Sequence, residues 1–186
     1  MWEGTAQTGI LAGLILCTLR HYNESQSLET VRLIDQFRAS LPVVGFDIAA
    51  DEAGFPLDQH LAAFAWAHAH NIPCTARAGE ACGPASVWQT LQQLRPQRIG
   101  HGVRSIEDPE LVEHLRATRM HLEICPTSNV QTNTCRQLLD HPVDQLFRAG
   151  VPLSVKTDAR TISNVNLYDE YATLHRTFGW TPTELL

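Results

Sequence analysis

Short apolar runs alternate with longer amphipathic stretches along this chain of 186 residues. The runs are continuous in apolar residues, which is typical of strands buried on both faces of a sheet. Six of them predict strands, at Leu14–Leu19, Val43–Ile48, Pro73–Ala78, Arg98–Gly102, His121–Cys125 and Val151–Thr157. Five stretches with apolar residues at helical spacing predict helices, at Ser27–Ser40, Leu57–Asn71, Gly83–Leu94, Asp108–Thr118 and Pro142–Ala149.

The spacing of the predicted strands indicates the fold class. Successive strands start roughly 25 to 30 residues apart, which is the length of a βα unit with a right-handed crossover. The alternation predicts an α/β fold with a parallel sheet, and the absence of a linker or low-complexity tract predicts a single domain over residues 1–186. Two architectures fit, an open doubly wound sheet and a (β/α)8 barrel. A complete barrel needs about 250 residues and this chain has room for about six units, so length alone favours the open sheet.

Composition and charge exclude several classes of protein. The chain has 14 Lys and Arg residues against 20 Asp and Glu residues, a net charge of −6, which argues against nucleic acid as a partner. The most apolar stretch, Ile10–Leu19, is too short to span a bilayer, so no membrane partner is expected. Five irregularly spaced cysteines without a C-x-x-C motif disfavour a disulfide framework or a zinc ribbon. We therefore expect a reduced, cytoplasmic protein.

Charged and polar residues follow the ends of five successive predicted strands. In chain order they are Asp47 with Asp51 and Glu52, Arg77 with Glu80, His101, Glu123 with Cys125, and Asp158. The carboxyl ends of parallel strands share one face, which is where α/β proteins place their active sites. We therefore expect these side chains to form one site. No glycine-rich phosphate-binding motif follows any strand, which disfavours a doubly wound fold that binds a nucleotide cofactor.

Five motifs around these residues occur in a specific order. They are FDIAADEAGF at residues 46–55, ARAGE at 76–80, RIGHG at 98–102, EICPTSN at 123–129 and Thr157-Asp158. Together they resemble the adenosine deaminase family of zinc-dependent purine hydrolases. The resemblance implies an incomplete (β/α)8 TIM barrel, in which six parallel βα units match strands three to eight of the family fold. It also implies hydrolytic deamination of adenosine to inosine, while AMP or adenine as the substrate stays open.

The resemblance assigns roles to individual residues. Glu80 aligns with the glutamate that donates a proton to the purine ring, and His101 aligns with the histidine that orients the metal-bound hydroxide. Asp47, Ala50 and Asp51 belong to the segment that binds the substrate. Ala50 stands where the family commonly has glycine, so its methyl group is expected to crowd the pocket.

One zinc ligand of the family has a counterpart in this sequence. Asp158 aligns with the aspartate ligand, but Arg77 stands at the position of a histidine ligand, and a guanidinium has no free lone pair for a metal. The remaining two ligands, a His-x-His pair, have no counterpart. A catalytic zinc usually needs three protein ligands, so we expect this chain to bind no zinc and to be inactive or a very poor deaminase alone. For Arg77 two hypotheses stay open, a forked ion pair with Asp158 or a drifted position whose side chain points to solvent.

Two alternatives to an impaired enzyme stay open, a non-catalytic purine-binding or interaction module and a degenerate fragment. The resemblance implies a purine nucleoside, adenosine, as the small-molecule ligand. A barrel with six of eight strands leaves two open edges, so self-association or a complementing chain is a further expectation. We expect the uncovered inner face of such a barrel to be apolar.

Overall fold

The structure is a computed structural model that describes residues 2–185. Its strands are β1 (Leu14–Leu19), β2 (Val43–Ala49), β3 (Thr75–Ala78), β4 (Arg98–His101), β5 (His121–Ile124) and β6 (Leu153–Val155). Its α-helices are α1 (Trp2–Thr8), α2 (Glu24–Phe37), α3 (Leu61–Ala69), α4 (Pro84–Gln93), α5 (Pro109–Thr118), α6 (Pro126–Gln131), α7 (Val143–Arg148), α8 (Arg160–Ser163) and α9 (Leu167–Phe178). Short 3₁₀ helices lie at Asp58–His60, Val103–Glu107 and Leu138–Asp140. No described helix has the length and apolar character needed to cross a membrane.

All six strands run parallel and neighbour one another in chain order. β1 pairs with β2, and a second ladder has the order β3-β4-β5-β6. The two ladders meet at one bridge between Phe46 and Cys74, where the Phe46 amide donates to the Pro73 carbonyl at 2.9 Å. Gly45 permits this approach, because a Cβ there would lie 3.0 Å from the Pro73 oxygen. The strands thus form one continuous sheet with β1 and β6 at its edges.

The outer face of the sheet carries the hydrophobic core. On β5, Leu122 and Ile124 are fully buried against the helices, while Glu123 between them points to the opposite face. On β2, Phe46 is buried in the same way and packs against Phe64 of α3 with ring centroids 4.9 Å apart. The two-residue period of each strand therefore sends every second side chain to the inner face.

The half of the inner face at the carboxyl ends of the strands is polar, which corrects the expectation of an apolar interior there, whereas the opposite end carries the half-exposed side chain of Ile15. A cavity of about 360 Å³ is lined by residues of β1 through β5 and of the segment that follows β6, so the sheet curves around it. Its charged lining includes Asp47, Arg77, Glu123, Lys156 and Asp158. Cations face anions across it, as where Lys156 Nζ lies 4.0 Å from Glu123 Oε1. Most large apolar residues of β2 to β5 are used on the outer face, which leaves polar ones for this half of the inner face.

The six predicted strands and their alternation with helices are present, but several bounds differ. The helix predicted at Ser27–Ser40 lies at Glu24–Phe37, because the Asn23 side chain caps its start in a capping box. The segment predicted as one helix from Leu57 begins as a 3₁₀ turn. It ends at Ala69, because Asn71 has a left-handed backbone with φ 54°.

Helices α6, α8 and α9 were not predicted. Helices α6 and α8 have six and four residues, which is too short for an apolar period to be recognised. Helix α9 carries a signal that the apolar pattern alone does not use, since Asn166 and Asp169 form a capping box at its start. The assignment of residues 1–186 to one domain stays a prediction.

Candidate active site

Four residues of the predicted cluster meet at the carboxyl ends of the strands. Arg77 lies in β3, His101 ends β4, Cys125 follows β5 and Asp158 follows β6. All four line the cavity of about 360 Å³. His101 and Asp158 have left-handed backbones, with φ of 63° and 56°, and such a residue cannot continue a strand. The chain therefore leaves the sheet at the site itself.

The Arg77 guanidinium stands at the centre of this cluster. Its Nη2 donates to Asp158 Oδ2 at 3.0 Å and also contacts His101 Nε2, to which Arg77 Nε lies at 3.0 Å. Ser128 Oγ donates to the same Asp158 oxygen at 2.8 Å. Behind it, Arg20 donates to the Arg77 carbonyl at 2.8 Å. The predicted ion pair is therefore confirmed, but it is not forked, because the rest of the guanidinium faces the imidazole.

Glu80 and His101 form a pair beside this cation. His101 Nε2 lies 3.3 Å from Glu80 Oε2, and the imidazole is 1% exposed. Thr132 Oγ1 and Asn129 Nδ2 donate to Glu80 Oε1 at 3.3 and 3.2 Å. The two residues that were assigned proton transfer and hydroxide orientation are therefore in direct contact.

Two buried residues behind this pair had no role in the sequence analysis. Asn129 Nδ2 lies 3.1 Å from His101 Nδ1, and Asn129 Oδ1 lies 3.2 Å from His141 Nε2. Asn129 and His141 are both fully buried. Asn129 belongs to the EICPTSN motif and could have been found there, whereas His141 lies before α7 in no motif that marks it.

Glu52 holds the loop that carries Glu80. Its carboxylate accepts hydrogen bonds from the four consecutive backbone amides of residues 79–82, at 2.6, 3.0, 2.8 and 3.0 Å, and from Ser86 Oγ at 2.6 Å. Burial opposes the ionisation of Glu52, but these donors outweigh it and hold its pKa below the usual value. Glu52 was noted at the end of the second strand without a role, and its contacts make it a structural anchor of the loop.

Two of the residues assigned to the substrate, Ala50 and Asp51, line a second cavity of about 570 Å³ together with Glu80. Ala50 has φ 81°, a left-handed conformation that favours glycine. Asp51 Oδ1 accepts from the amides of Ala53 and Gly54 at 3.1 and 3.0 Å, so this carboxylate turns the loop. Its second oxygen lies beside the same turn, where a Cβ on Gly54 would come within 2.3 Å of it.

Asp47, the third residue assigned to the substrate, lies apart from these two. It lines the inner cavity beside Cys17 and Arg77, and its buried Oδ1 has no hydrogen-bond partner among the described residues. Burial raises the pKa of Asp47 to about 6, against the opposing effects of a backbone hydrogen bond and Arg77. Asp47 is therefore a carboxyl group beneath the site rather than beside Ala50.

Burial and charge separate the protonation states at the centre of the site. Burial, reinforced by Arg77, lowers the pKa of His101 to about 4, so the imidazole is neutral at pH 7. Burial raises the pKa of Glu80, and Arg77 offsets this only in part. Burial acts in the same sense on Asp158, but Arg77 and Ser128 outweigh it and hold its pKa below the usual value. An ionised Asp158 thus faces a guanidinium and a neutral imidazole.

The residues around Asp158 combine potential metal ligands with a cation of the protein itself. Within residues 2–185, three potential ligands lie together, His101, Cys125 and Asp158, with ligand atoms within 4.8 Å of one another. The Arg77 guanidinium already contacts both Asp158 and His101 there. Burial, followed by the charge of Asp158, raises the pKa of the Cys125 thiol to about 12, whereas a metal binds the thiolate. A cation of the protein itself therefore stands among these side chains.

Comparison with known proteins identifies the family. Residues 1–186 match the family model described as adenosine deaminase. The chain belongs to the adenosine deaminase family. Its curated relatives include adenosine deaminase of Clostridium acetobutylicum, 34% identical over 178 residues, and adenosine deaminase 1 of Streptomyces coelicolor, 39% identical over 183 residues. These matches cover 96% and 92% of this chain but 53% and 46% of the relatives, so the chain spans about half the length of the curated relatives it matches.

Solved structures of adenosine deaminase relatives share the fold. An adenine deaminase from Arthrobacter aurescens has a TM-score of 0.92 at 25% identity, over 99% of this chain and 56% of its own. An amidohydrolase from Burkholderia ambifaria with bound zinc has a TM-score of 0.91 at 25% identity, over 100% and 52%. The Arabidopsis protein ADAL, solved with IMP, has a TM-score of 0.84 at 28% identity, over 93% and 50%. The predicted incomplete TIM barrel is therefore confirmed, and zinc-dependent deamination is the activity of the family.

Proposed function

We propose that this chain keeps the purine site of the adenosine deaminases but deaminates adenosine very poorly or not at all on its own. The observation that carries the proposal is the Arg77 guanidinium, 3.0 Å from Asp158 and in contact with His101. Deamination in this family needs hydroxide at neutral pH, which zinc supplies by lowering the pKa of its bound water from about 15.7 to near 7. A guanidinium has no coordination site for water and cannot take over this role.

The ligand that we propose is a purine nucleoside or its base. Glu80 and Ala50 line a cavity of about 570 Å³, and Glu80 offers a carboxyl group whose pKa is raised by burial and which can therefore share a proton with a ring nitrogen. Asp51 lies on the same cavity, and Asp47 on the inner one. Support for purines as the class comes from the relatives, since ADAL was solved with IMP and the Arthrobacter protein is an adenine deaminase.

The test combines three measurements on the purified 186-residue chain. Zinc content is determined by mass spectrometry, inosine formation by the change in absorbance, and thermal stability with and without adenosine, inosine and adenine. We expect zinc far below one ion per chain, no turnover, and a Tm that rises with the concentration of at least one purine. Stoichiometric zinc together with inosine formation would contradict the proposal. A Tm that responds to none of the three compounds would favour a degenerate fragment.

Two further proposals concern the surroundings of the chain. We place it in a reducing cytoplasm, which is supported by five cysteines that are all free in the structure. We also propose association through the edges of the sheet, because neither the outer edge of β1 nor that of β6 is paired with a strand among the described residues. Native mass spectrometry of the purified chain tests the second proposal, and a monomer at all concentrations would exclude self-association.

A further inference from the structure

A carboxyl group of α9 lies fully buried next to helix α6. Glu170 is 0% exposed, and its Oε1 accepts a hydrogen bond from the Thr127 amide at 3.2 Å. Its Oε2 is buried and has no hydrogen-bond partner among residues 2–185. Burying a carboxyl group that is satisfied at only one oxygen costs free energy. A polar side chain placed at this cost points to a role that an apolar one could not fill.

The contact of Glu170 falls on the first turn of α6. The first amides of a helix have no acceptor within it and need one from elsewhere. Helix α6 begins at Pro126, which has no amide hydrogen, so Thr127 is the first donor that this helix presents. The side chain of Cys125 at the N-cap accepts no hydrogen bond from these amides. Glu170 therefore supplies from α9 the cap that the residue before α6 does not provide.

Helix α6 and the residue that ends it carry three side chains that contact the site. Ser128 Oγ donates to Asp158 Oδ2 at 2.8 Å. Asn129 Nδ2 and Thr132 Oγ1 donate to Glu80 Oε1 at 3.2 and 3.3 Å. Thr132 also lines the cavity of about 570 Å³ that holds Glu80. Because α6 has six residues, which is less than two turns, a displacement of its first turn moves all three side chains together.

Two side-chain contacts hold α6 at opposite ends. Gln131 Nε2 donates to the Ser163 carbonyl at 3.0 Å, which ties the last turn of α6 to α8. Glu170 ties the first turn to α9. Burial raises the pKa of Glu170, and the hydrogen bonds of Thr127 offset this only in part. A carboxyl group held towards its neutral form accepts through one oxygen, which the amide oxygen of a glutamine reproduces.

We propose that Glu170 is a positioning residue, which holds the first turn of α6 and thereby places the side chains of Ser128 and Asn129 in the site. It acts through α6 and is not a catalytic residue. Glu170 lies outside the five motifs that mark the site in the sequence. The proposal concerns the geometry around Glu80 and does not rest on purine binding, so a failure of purine binding leaves it unaffected.

The test is the side-chain amide of Asn129, observed by NMR in ¹⁵N-labelled protein. In wild type this NH₂ group contacts Glu80 and lies 3.1 Å from His101 Nδ1, so its chemical shifts should differ from those of an exposed asparagine. In Glu170→Leu the shifts should move towards the values of an exposed asparagine. Glu170→Gln keeps an acceptor for the Thr127 amide and should retain the wild-type shifts. Unchanged shifts in a folded Glu170→Leu would overturn the proposal.

A control variant separates this role from a general effect on stability. Leu174 is fully buried in the hydrophobic core, one turn after Glu170 in the same helix. Leu174→Ala should lower the Tm, because it leaves a cavity, but should not move the Asn129 shifts. An equal movement of the Asn129 shifts in Leu174→Ala and Glu170→Leu would attribute the effect to lost packing and would overturn the proposal.

Hydrogen exchange at the Thr127 amide tests the contact in the wild-type protein alone. If Glu170 holds this amide, it should exchange nearly as slowly as the Leu122 amide of β5, which donates to the Pro152 carbonyl at 2.9 Å. Exchange as fast as that of an exposed loop amide would overturn the proposal, whether or not any variant folds.

Discussion

Glu52 offers a sharp test of how the loop after β3 is held. Its carboxylate is the common acceptor of the four amides of residues 79–82 and of Ser86 Oγ. Oε2 accepts three of these amides and Oε1 accepts the Gly79 amide. Glu52→Gln keeps the shape of the side chain but removes its charge and one acceptor oxygen.

The expected loss follows from the two oxygens. The amide oxygen of Gln can still accept the three amides that Oε2 accepts, but a hydrogen bond to a charged group contributes about 1.5–3 kcal/mol and a neutral one about 0.5–1.5 kcal/mol. The NH₂ group of the glutamine would take the place of Oε1 and cannot accept the hydrogen bond of the Gly79 amide. A buried donor left without an acceptor costs about 1–3 kcal/mol. Because neighbouring contributions are not additive, we expect the free energy of unfolding to fall by about 2–4 kcal/mol in total.

Urea denaturation measures this loss. With a slope of about 2 kcal/mol per molar urea, the midpoint should fall by about 1–2 M. Glu29→Gln, at an exposed position of α2, is the matched control and should change the free energy of unfolding by less than about 0.5 kcal/mol. The difference between wild type and Glu52→Gln should shrink as the pH falls through the lowered pKa of Glu52. A loss below about 1 kcal/mol at pH 7 would refute the argument that the charge of Glu52 holds the loop.

Three further predictions concern single positions. Ala50→Gly should raise the free energy of unfolding by about 0.5–1 kcal/mol, since it relieves a left-handed backbone at φ 81°. The control Ala49→Gly, in β2, should lower the free energy of unfolding. A lower stability of Ala50→Gly than of wild type would contradict this. Burial lowers the pKa of His141 to about 4, so the free energy of unfolding of wild type should fall by up to about 3 kcal/mol relative to His141→Gln as the pH falls from 6.5 towards 4. Parallel curves of stability against pH for the two proteins would refute this prediction. Burial raises the pKa of Asp47 to about 6, so wild type should lose up to about 3 kcal/mol relative to Asp47→Asn as the pH rises from about 4 to about 6. A stability difference that grows with pH in favour of wild type would contradict this.

The location of the site could be predicted because it depends on topology alone. Glu80, His101 and Asp158 each follow an apolar run, and parallel strands bring their carboxyl ends to one face. The polar half of the inner face was missed although its signal is present. In the β5 sequence HLEI, polar and apolar residues alternate, and His121 and Glu123 take the inner positions. When such a short run is taken to be apolar on both faces, its two-residue alternation is overlooked.

The contacts within the site could not be predicted in the same way. Whether Arg77 forms a fork with Asp158 depends on where the imidazole of His101 stands, and that is set by packing between strands. The contact between His141 and Asn129 depends on a loop that folds back onto α6, and its nearest signal in the sequence is the Pro142 that follows His141. Contacts of this kind are fixed by tertiary structure, which a one-dimensional pattern does not contain.

Replacing Arg77 by histidine would not by itself restore a metal site. Arg77→His would add a second nitrogen or oxygen donor beside Asp158, but a catalytic zinc usually needs three protein ligands. The Nε2 atom of His101 lies 3.3 Å from Glu80 Oε2, which competes for it, and burial keeps Cys125 a thiol, so neither side chain is a ready third ligand. Further donors would have to enter between the edges of β1 and β6, which pair with no strand among residues 2–185 and where Cys17 and Lys156 line opposite ends of the same cavity. Metal binding by Arg77→His should therefore stay weak until a peptide with such donors occupies that edge, which links the chemistry of the site to the closure of the barrel.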